Sequence, residues 1–287
     1  MAVARHGRGV RAAAGALASQ VHPVFMLPPV AVAWFGGVLA GRTTGGVAVL
    51  AGAVHATAIF AAVYTAHVKD GYVDFHVRGE DDDHPLTAAG CRGALVATTA
   101  LFVGALGGVW ILGGPLAAAL TAPTWAVAYA HAPTLDRHPV GATAGYPAGI
   151  ALALGGGYAV QAGSLAPAPL GFAGVFLLLL SGVKVIDDAQ DHAYDRSIDK
   201  RTVAVVLEPL RARRLAYGLM AGGLALVVAL AAVGVVPAAA ALAVLPFGAV
   251  AAVARGAGPE LATMLLVRGT YLLLAVLVAA TWLQPPA

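Results

Sequence analysis

Leu170-Gly-Phe-Ala-Gly-Val-Phe-Leu-Leu-Leu-Leu-Ser-Gly-Val-Lys-Val-Ile186 runs without a break into Asp187-Asp-Ala-Gln-Asp-His-Ala-Tyr-Asp-Arg-Ser-Ile-Asp-Lys-Arg-Thr202. The first half has the length of a bilayer-crossing helix, which needs roughly 20 apolar residues and tolerates about 17 to 25. The second half carries five carboxylates, Asp187, Asp188, Asp191, Asp195 and Asp199. A greasy helix ending in a fan of acids decides how the rest of the chain is read. It belongs to an all-α, multi-pass membrane bundle with its polar chemistry at one rim.

The same pattern recurs along the chain. Apolar runs cover Val24–Ala40, Val47–Val68, Gly93–Leu112, Pro115–Ala130, Gly145–Ala162, Leu170–Ile186, Leu215–Val233, Pro237–Ala254 and Gly269–Leu283. That predicts about nine transmembrane helices in a single integral-membrane domain over residues 1–287. Pro28, Pro29, Pro147 and Pro246 are tolerated, because neighbouring helices satisfy freed backbone groups in a bundle. Composition agrees: of 287 residues 60% are hydrophobic and 11% charged, with mean hydropathy +0.82. A soluble domain carries about 25% charged residues. Soluble globules, disordered chains, collagen-like repeats and disulfide scaffolds are thereby excluded. The single cysteine, Cys91, allows no internal disulfide and no zinc site built on cysteines, and reads as a small buried apolar residue.

Residues 1–23 carry Arg5, Arg8 and Arg11. Ala16-Leu17-Ala18 imitates a signal-peptidase site, but the apolar stretch before it, Ala12–Leu17, is shorter than the roughly 7 to 15 residues such a signal needs. The segment is read as a retained, basic, amphipathic lead-in. Once loops alternate sides, 15 of the 17 Lys and Arg residues fall on one side, with Arg42 opposite and Arg268 at the start of the last span. Cytoplasmic loops carry the excess of basic residues, so the N-terminus and the acidic loops are expected in the cytoplasm.

Twelve of the 14 acidic residues lie in two cytoplasmic-side segments, 69–87 and 184–214. The first holds Asp70, Asp74, Glu80, Asp81, Asp82 and Asp83; the second adds Glu208 to the five aspartates above. Asp188, Asp191 and Asp195 are spaced i, i+3, i+7, one helical face if the helix continues from the sixth span. Asp70 and Asp74 are i, i+4, and Asp81 would return to their face on a continued helix. Like charges at this spacing repel. Mg²⁺ is the natural mediator, held by one or two carboxylates while substrate phosphate oxygens complete its shell. Arg78, Arg137, Lys184, Lys200 and Arg201 interleave with the acids and suit the remaining phosphate oxygens. An anionic head at the mouth of a hydrophobic bundle, with a greasy tail inside it, describes an isoprenyl diphosphate.

The sequence resembles the UbiA superfamily of intramembrane prenyltransferases, which share nine transmembrane helices and two Asp-rich motifs after helices two and six. The second motif, Asp-x-x-Asp-x-x-x-Asp followed by a basic residue and Thr, is matched by Asp188, Asp191, Asp195, Lys200 and Thr202. The first is matched with changes: Asp70 stands where Asn is usual, Gly71 where a further Asp often is, Asp74 fits, Asp81 fits the longer-spaced variant, and Arg78 takes the third Asp position of the shorter one. The resemblance implies prenyl transfer from an isoprenyl diphosphate to a lipophilic acceptor, with release of pyrophosphate. It implies metal binding by Asp70, Asp74, Asp81, Asp188, Asp191 and Asp195, with Asp191, Asp195 and Lys184 central to catalysis. Arg78, Arg137, Lys184, Lys200 and Arg201 are expected on the diphosphate, and Tyr72 and Tyr194 on phosphate or on the developing cation through their π faces. Mg²⁺ is the expected cofactor. A quinone precursor, a glycerol-phosphate lipid, a porphyrin or a carotenoid would serve as acceptor. Membrane lipid is an expected partner and nucleic acid is not.

Other readings are weaker. Di-iron membrane oxidases need closely spaced His boxes, and none of His67, His76, His84, His131, His138 and His192 is paired at i+3 or i+4. The Asp-x-x-Asp-Gly-x-x-Ala-Arg pattern of CDP-alcohol phosphotransferases is absent. A cation transporter would place carboxylates inside its spans, and these spans have none. A transporter, or an inactive UbiA-like lipid-binding protein, is the alternative. Gly155-Gly156-Gly157 lies inside a span and reads as helix packing rather than a phosphate loop.

Overall fold

The computed structural model describes residues 2–198 and 200–283, so Asp199 lies outside the described residues. Each of the nine apolar runs falls largely in helix, as backbone in hydrocarbon must satisfy its own N–H and C=O groups. In chain order the helices are α1 (Val10–Ala18), α2 (Pro23–Thr44), α3 (Val49–Gly71), α4 (Ala88–Ala130), α5 (Pro139–Ala162) and α6 (Pro167–Asp188). They continue with α7 (His192–Ser197), α8 (Val203–Leu207), α9 (Pro209–Ala232), α10 (Val244–Gly256) and α11 (Pro259–Trp282). Among the described residues there is no strand, only an isolated bridge between Ala4 and Leu86.

Seven helical stretches of the described residues are long and apolar enough to cross a membrane; the Gly-rich α5 is not among them. One of the seven, α4, is 43 residues long and is broken at Gly114, which takes φ 79°. Only glycine adopts such a φ without strain. Pro115 follows it, and proline starts a helix more readily than it continues one. The two arms of α4 therefore correspond to the third and fourth apolar runs.

The bundle packs α3 along α4, α2 along α5 and α6 along α9, with α5 also against α4 and α6. The contact of α2 with α5 is backbone on backbone. A Cβ on Gly157 would lie 2.0 Å from the carbonyl oxygen of Ala33, and one on Gly36 would lie 2.2 Å from that of Leu154. Gly155-Gly156-Gly157 is thus a helix-packing surface, which lets two helices approach where a side chain would hold them apart. Phe35 of α2 meets Phe172 of α6 at 5.2 Å within a core that α9 and α11 complete.

Both Asp-rich segments begin where helices end on one rim of the bundle. There α3 widens into a π-helical turn, Tyr72–Arg78, and stops at Gly79 with φ 67°. The N-terminal segment folds back onto this rim: Tyr64 Oη donates to the Leu17 carbonyl at 2.8 Å, Ala16 of α1 is buried, and Arg8 and Arg11 are exposed. Cys91 is buried in the first turns of α4.

Candidate active site

The rim cavity has apolar walls and a polar mouth. It encloses about 300 Å³ and is lined by Val24, Pro28, Ile59, Val63, Ile150 and Val183, among others. At the ends of α3 and α6, its lining turns to His67, Asp70, Lys184 and Asp187, with His131 from the end of α4. His67 stacks on His22 at 5.0 Å. Tyr146 Oη donates to the Phe25 carbonyl at 3.1 Å, tying α5 to α2 beside the cavity.

In the second segment, the expected unbroken helical face is not formed. Helix α6 ends at Asp188, Gln190 N–H turns back to the Asp187 carbonyl at 3.0 Å, and α7 begins at His192. The break spares the chain three carboxylates stacked one above another, and it splits their environments. Asp188 and Asp195 are each 5% exposed, whereas Asp191 is exposed at the N-cap position of α7. All three remain electrostatic neighbours, since Asp188 and Asp191 both act on Asp195. Burial, then the adjacent carboxylates, pushes the Asp195 pKa up to about 6 against the pull of Lys200. Lys184 Nζ holds Asp187 at 2.9 Å and Asp188 at 2.6 Å.

The first segment departs from expectation in a similar way. The π-turn and Gly79 end the helix, so Asp81 does not return to the face of Asp70 and Asp74 but lies exposed. Arg78 points back at carboxylates: Asp74 at 3.4 Å, Glu80 at 3.5 Å and Asp136 at 2.6 Å. Tyr72 turns toward the N-terminal core and the His76 ring. Arg137 and Arg201 are exposed, and the Arg201 backbone N–H donates to the Asp136 carbonyl at 3.1 Å.

Lys200 joins the two segments. Its Nζ lies 3.6 Å from Glu80. Burial works against its charge, but Asp74, Glu80, Asp195 and Asp70 outweigh that and hold its pKa above the ordinary lysine value. Tyr194 is a neighbour of both Glu80 and Lys200. Of the residues expected from the sequence, Asp70, Asp74, Asp188, Asp195, Lys184 and Lys200 thus share one neighbourhood. Asp136, Glu80, Asp187, His67 and His131 join them without having been expected there. Asp136 had one signal, being one of only two acids outside the clusters; the cavity histidines had none beyond their position at span ends.

Buried acceptor oxygens remain open here. Asp188 Oδ2 and Asp136 Oδ1 have no hydrogen-bond partner among the described residues, and Glu80 Oε1 has only its 3.5 Å ion pair with Arg78. Carboxylate oxygens are the ligands a hard divalent cation takes, so the acids at the two helix ends fit Mg²⁺ by donor type.

No family model matches the sequence, and no curated protein matches it. Solved structures do match it in shape. A UbiA homologue from Aeropyrum pernix K1 superposes with TM-score 0.66 at 15% identity, over 90% of this chain and 98% of that one. This chain has the UbiA fold. A structure of digeranylgeranylglyceryl phosphate synthase superposes with TM-score 0.68 at 11% identity, over 93% of this chain and 99% of that one. A UbiA homologue from Archaeoglobus fulgidus bound to GPP and Mg²⁺ gives TM-score 0.62 at 14% identity, over 90% and 98%. The UbiA-like bundle of this chain therefore sets two acidic helix ends around one apolar cavity.

Proposed function

We propose that the protein is a Mg²⁺-dependent prenyltransferase, moving a prenyl group from an isoprenyl diphosphate to a lipophilic acceptor and releasing pyrophosphate. One observation carries the reading: two carboxylate clusters, joined through Lys200, converge on the polar mouth of an apolar cavity. The UbiA homologue of the same fold bound to GPP and Mg²⁺, and another bound to DMAPP and Mg²⁺, support it.

Asp70, Asp74, Asp188 and Asp195 would hold the metal, together with the exposed Asp191. Mg²⁺, when bound, neutralises diphosphate charge and makes it a better leaving group. Lys184 and Lys200 sit among the same carboxylates and would bind diphosphate oxygens directly. Arg137, Arg201 and Tyr194 stand at the outer rim and reach the head group only from the aqueous side. Arg78, held by three carboxylates, serves to keep the first segment folded; Tyr72 and Asp81 take supporting places. The apolar walls accept the prenyl chain and keep water from the exposed C1. The acceptor enters the same membrane-embedded cavity, and the synthase neighbour makes a glycerol-phosphate lipid the first class to try.

The test is pyrophosphate release by purified protein supplied with Mg²⁺, geranylgeranyl diphosphate and a glycerol-phosphate lipid, then with fractionated lipid extracts. Turnover that vanishes with EDTA and in Asp188→Asn supports the reading. Turnover unchanged by EDTA refutes it.

A further inference from the structure

The return loop from the first Asp-rich segment to α4 folds around three side chains for which prenyl transfer has no use. His76 lies in the π-turn, His84 in the coil that follows, and Cys91 in α4. Each offers one ligand atom, and the three lie within 4.8 Å of one another. Cys91 Sγ is 4.0 Å from His84 Nδ1. The Leu86 carbonyl oxygen lies 3.1 Å from His76 Nε2 and 3.2 Å from His84 Nδ1.

The cluster is drawn together around the Leu86 peptide, whose carbonyl faces His76 Nε2 and His84 Nδ1. His84 Nδ1 faces both the Leu86 carbonyl, which asks for a donor, and the Leu86 N–H at 3.2 Å, which asks for an acceptor. One ring nitrogen serves only one of them, and His76 Nε2 is placed to serve the carbonyl. His84 is 5% exposed, so its ring is held inside the protein with Nδ1 toward Cys91 and Leu86. A thiolate and two imidazoles are zinc ligands, and tetrahedral bonds of about 2.0–2.3 Å space neighbouring ligand atoms roughly 3.3–3.6 Å apart. The separations of 3.1 and 3.2 Å to the Leu86 oxygen, 4.0 Å between Cys91 Sγ and His84 Nδ1, and at most 4.8 Å among the three side-chain atoms lie around that spacing.

We propose that His76, His84 and Cys91, completed by the Leu86 carbonyl, form a structural zinc site separate from the Mg²⁺ cluster. Binding replaces the Cys91 thiol proton, which leaves to solvent, by a zinc–sulfur bond. One cysteine excludes an all-cysteine site, whereas two histidines that the sequence keeps eight residues apart supply a mixed one. The site fastens three pieces together. His76 shares the π-turn with Asp74 and Arg78, Cys91 anchors α4, and Leu86 bridges to Ala4 of the N-terminal segment. Zinc there would hold the first Asp-rich segment in register and leave the chemistry to the carboxylates.

The test is elemental analysis of the full chain purified in detergent without a histidine tag and washed with a weak chelator. About one zinc per chain is expected, falling below roughly a tenth in Cys91→Ala and in His84→Gln. Asp188→Asn should keep its zinc, which separates this site from the Mg²⁺ cluster. Cobalt offered to metal-stripped protein should give a thiolate-to-cobalt charge-transfer band that Cys91→Ser abolishes. Monodisperse wild-type protein that holds no stoichiometric zinc, gives no cobalt band and titrates as one free thiol overturns the proposal. So does zinc retained in Cys91→Ala. The wild-type measurements decide even where a variant fails to fold.

Discussion

Removing Arg78 should cost more than removing the acid it holds most tightly. Arg78 is 12% exposed and makes a 2.6 Å contact to Asp136 and longer ones to Asp74 and Glu80. In Asp136→Asn the guanidinium keeps its other two carboxylates and the amide oxygen still accepts, so the loss lies toward the lower end of the roughly 1.5–3 kcal/mol of a charge-assisted hydrogen bond. In Arg78→Met three largely buried carboxylates lose their common cation, and breaking a buried pair from one side costs about 3–5 kcal/mol. The site lies at an aqueous mouth, so the lower end, about 3 kcal/mol, applies. The double variant should cost less than the sum of the singles by roughly 1–2 kcal/mol, because a neutral amide in place of the Asp136 carboxylate removes part of the repulsion. Denaturant unfolding in bicelles, monitored by tryptophan emission with and without Mg²⁺, measures all three. Mg²⁺ should recover stability in Arg78→Met, where it replaces the missing cation, and have little effect on Asp136→Asn. Equal losses in the two single variants, or strict additivity, would refute the reasoning.

Protonation of Asp195 should weaken Mg²⁺ binding in mild acid. Its pKa is raised to about 6, so the folded state favours the proton and the metal must displace it. Mg²⁺ affinity should climb as pH rises through about 6, with roughly a tenfold deficit near pH 5 for the one proton that Asp195 releases; Mn²⁺ titration by electron paramagnetic resonance reads this. In Gly157→Leu, a side chain is driven into the Ala33 backbone, and loss of monodisperse protein on size exclusion is expected. Lys184→Gln should lower kcat/KM on the order of 100-fold by removing one preorganised contact to the diphosphate, while Asp81→Ala, at an exposed position, should leave it within about twofold.

Legibility of the sequence followed the physics of each signal. Apolar length announced the helices, because hydrocarbon leaves the backbone no other solution, and the gap at Gly113-Gly114 between two apolar runs marked the break in α4. The Gly155-Gly156-Gly157 surface could be assigned to packing from its place inside a span. Site geometry was legible only where it did not depend on a helix continuing. Spacing placed Asp188, Asp191 and Asp195 on one face, yet the chain breaks at Gln190 and Asp191, and the three environments diverge. Asp81 was carried onto an acidic face by a helix that Gly79 ends. Arg78 looked available for phosphate because its partner Asp136 lies 58 residues away, a pairing that no local pattern encodes. Cys91, read correctly as buried, meets two histidines whose spacing gave no hint of a cluster.

Isoprenyl diphosphate and Mg²⁺ meeting at the rim cavity is the central claim. Calorimetric titration of geranyl diphosphate into the detergent-solubilised protein tests this without knowledge of the acceptor. The expected result is saturable binding that requires Mg²⁺, is competed by inorganic pyrophosphate, and is lost in Asp188→Asn while the variant remains monodisperse. Binding of equal strength in EDTA, or binding unaffected by Asp188→Asn, would contradict it.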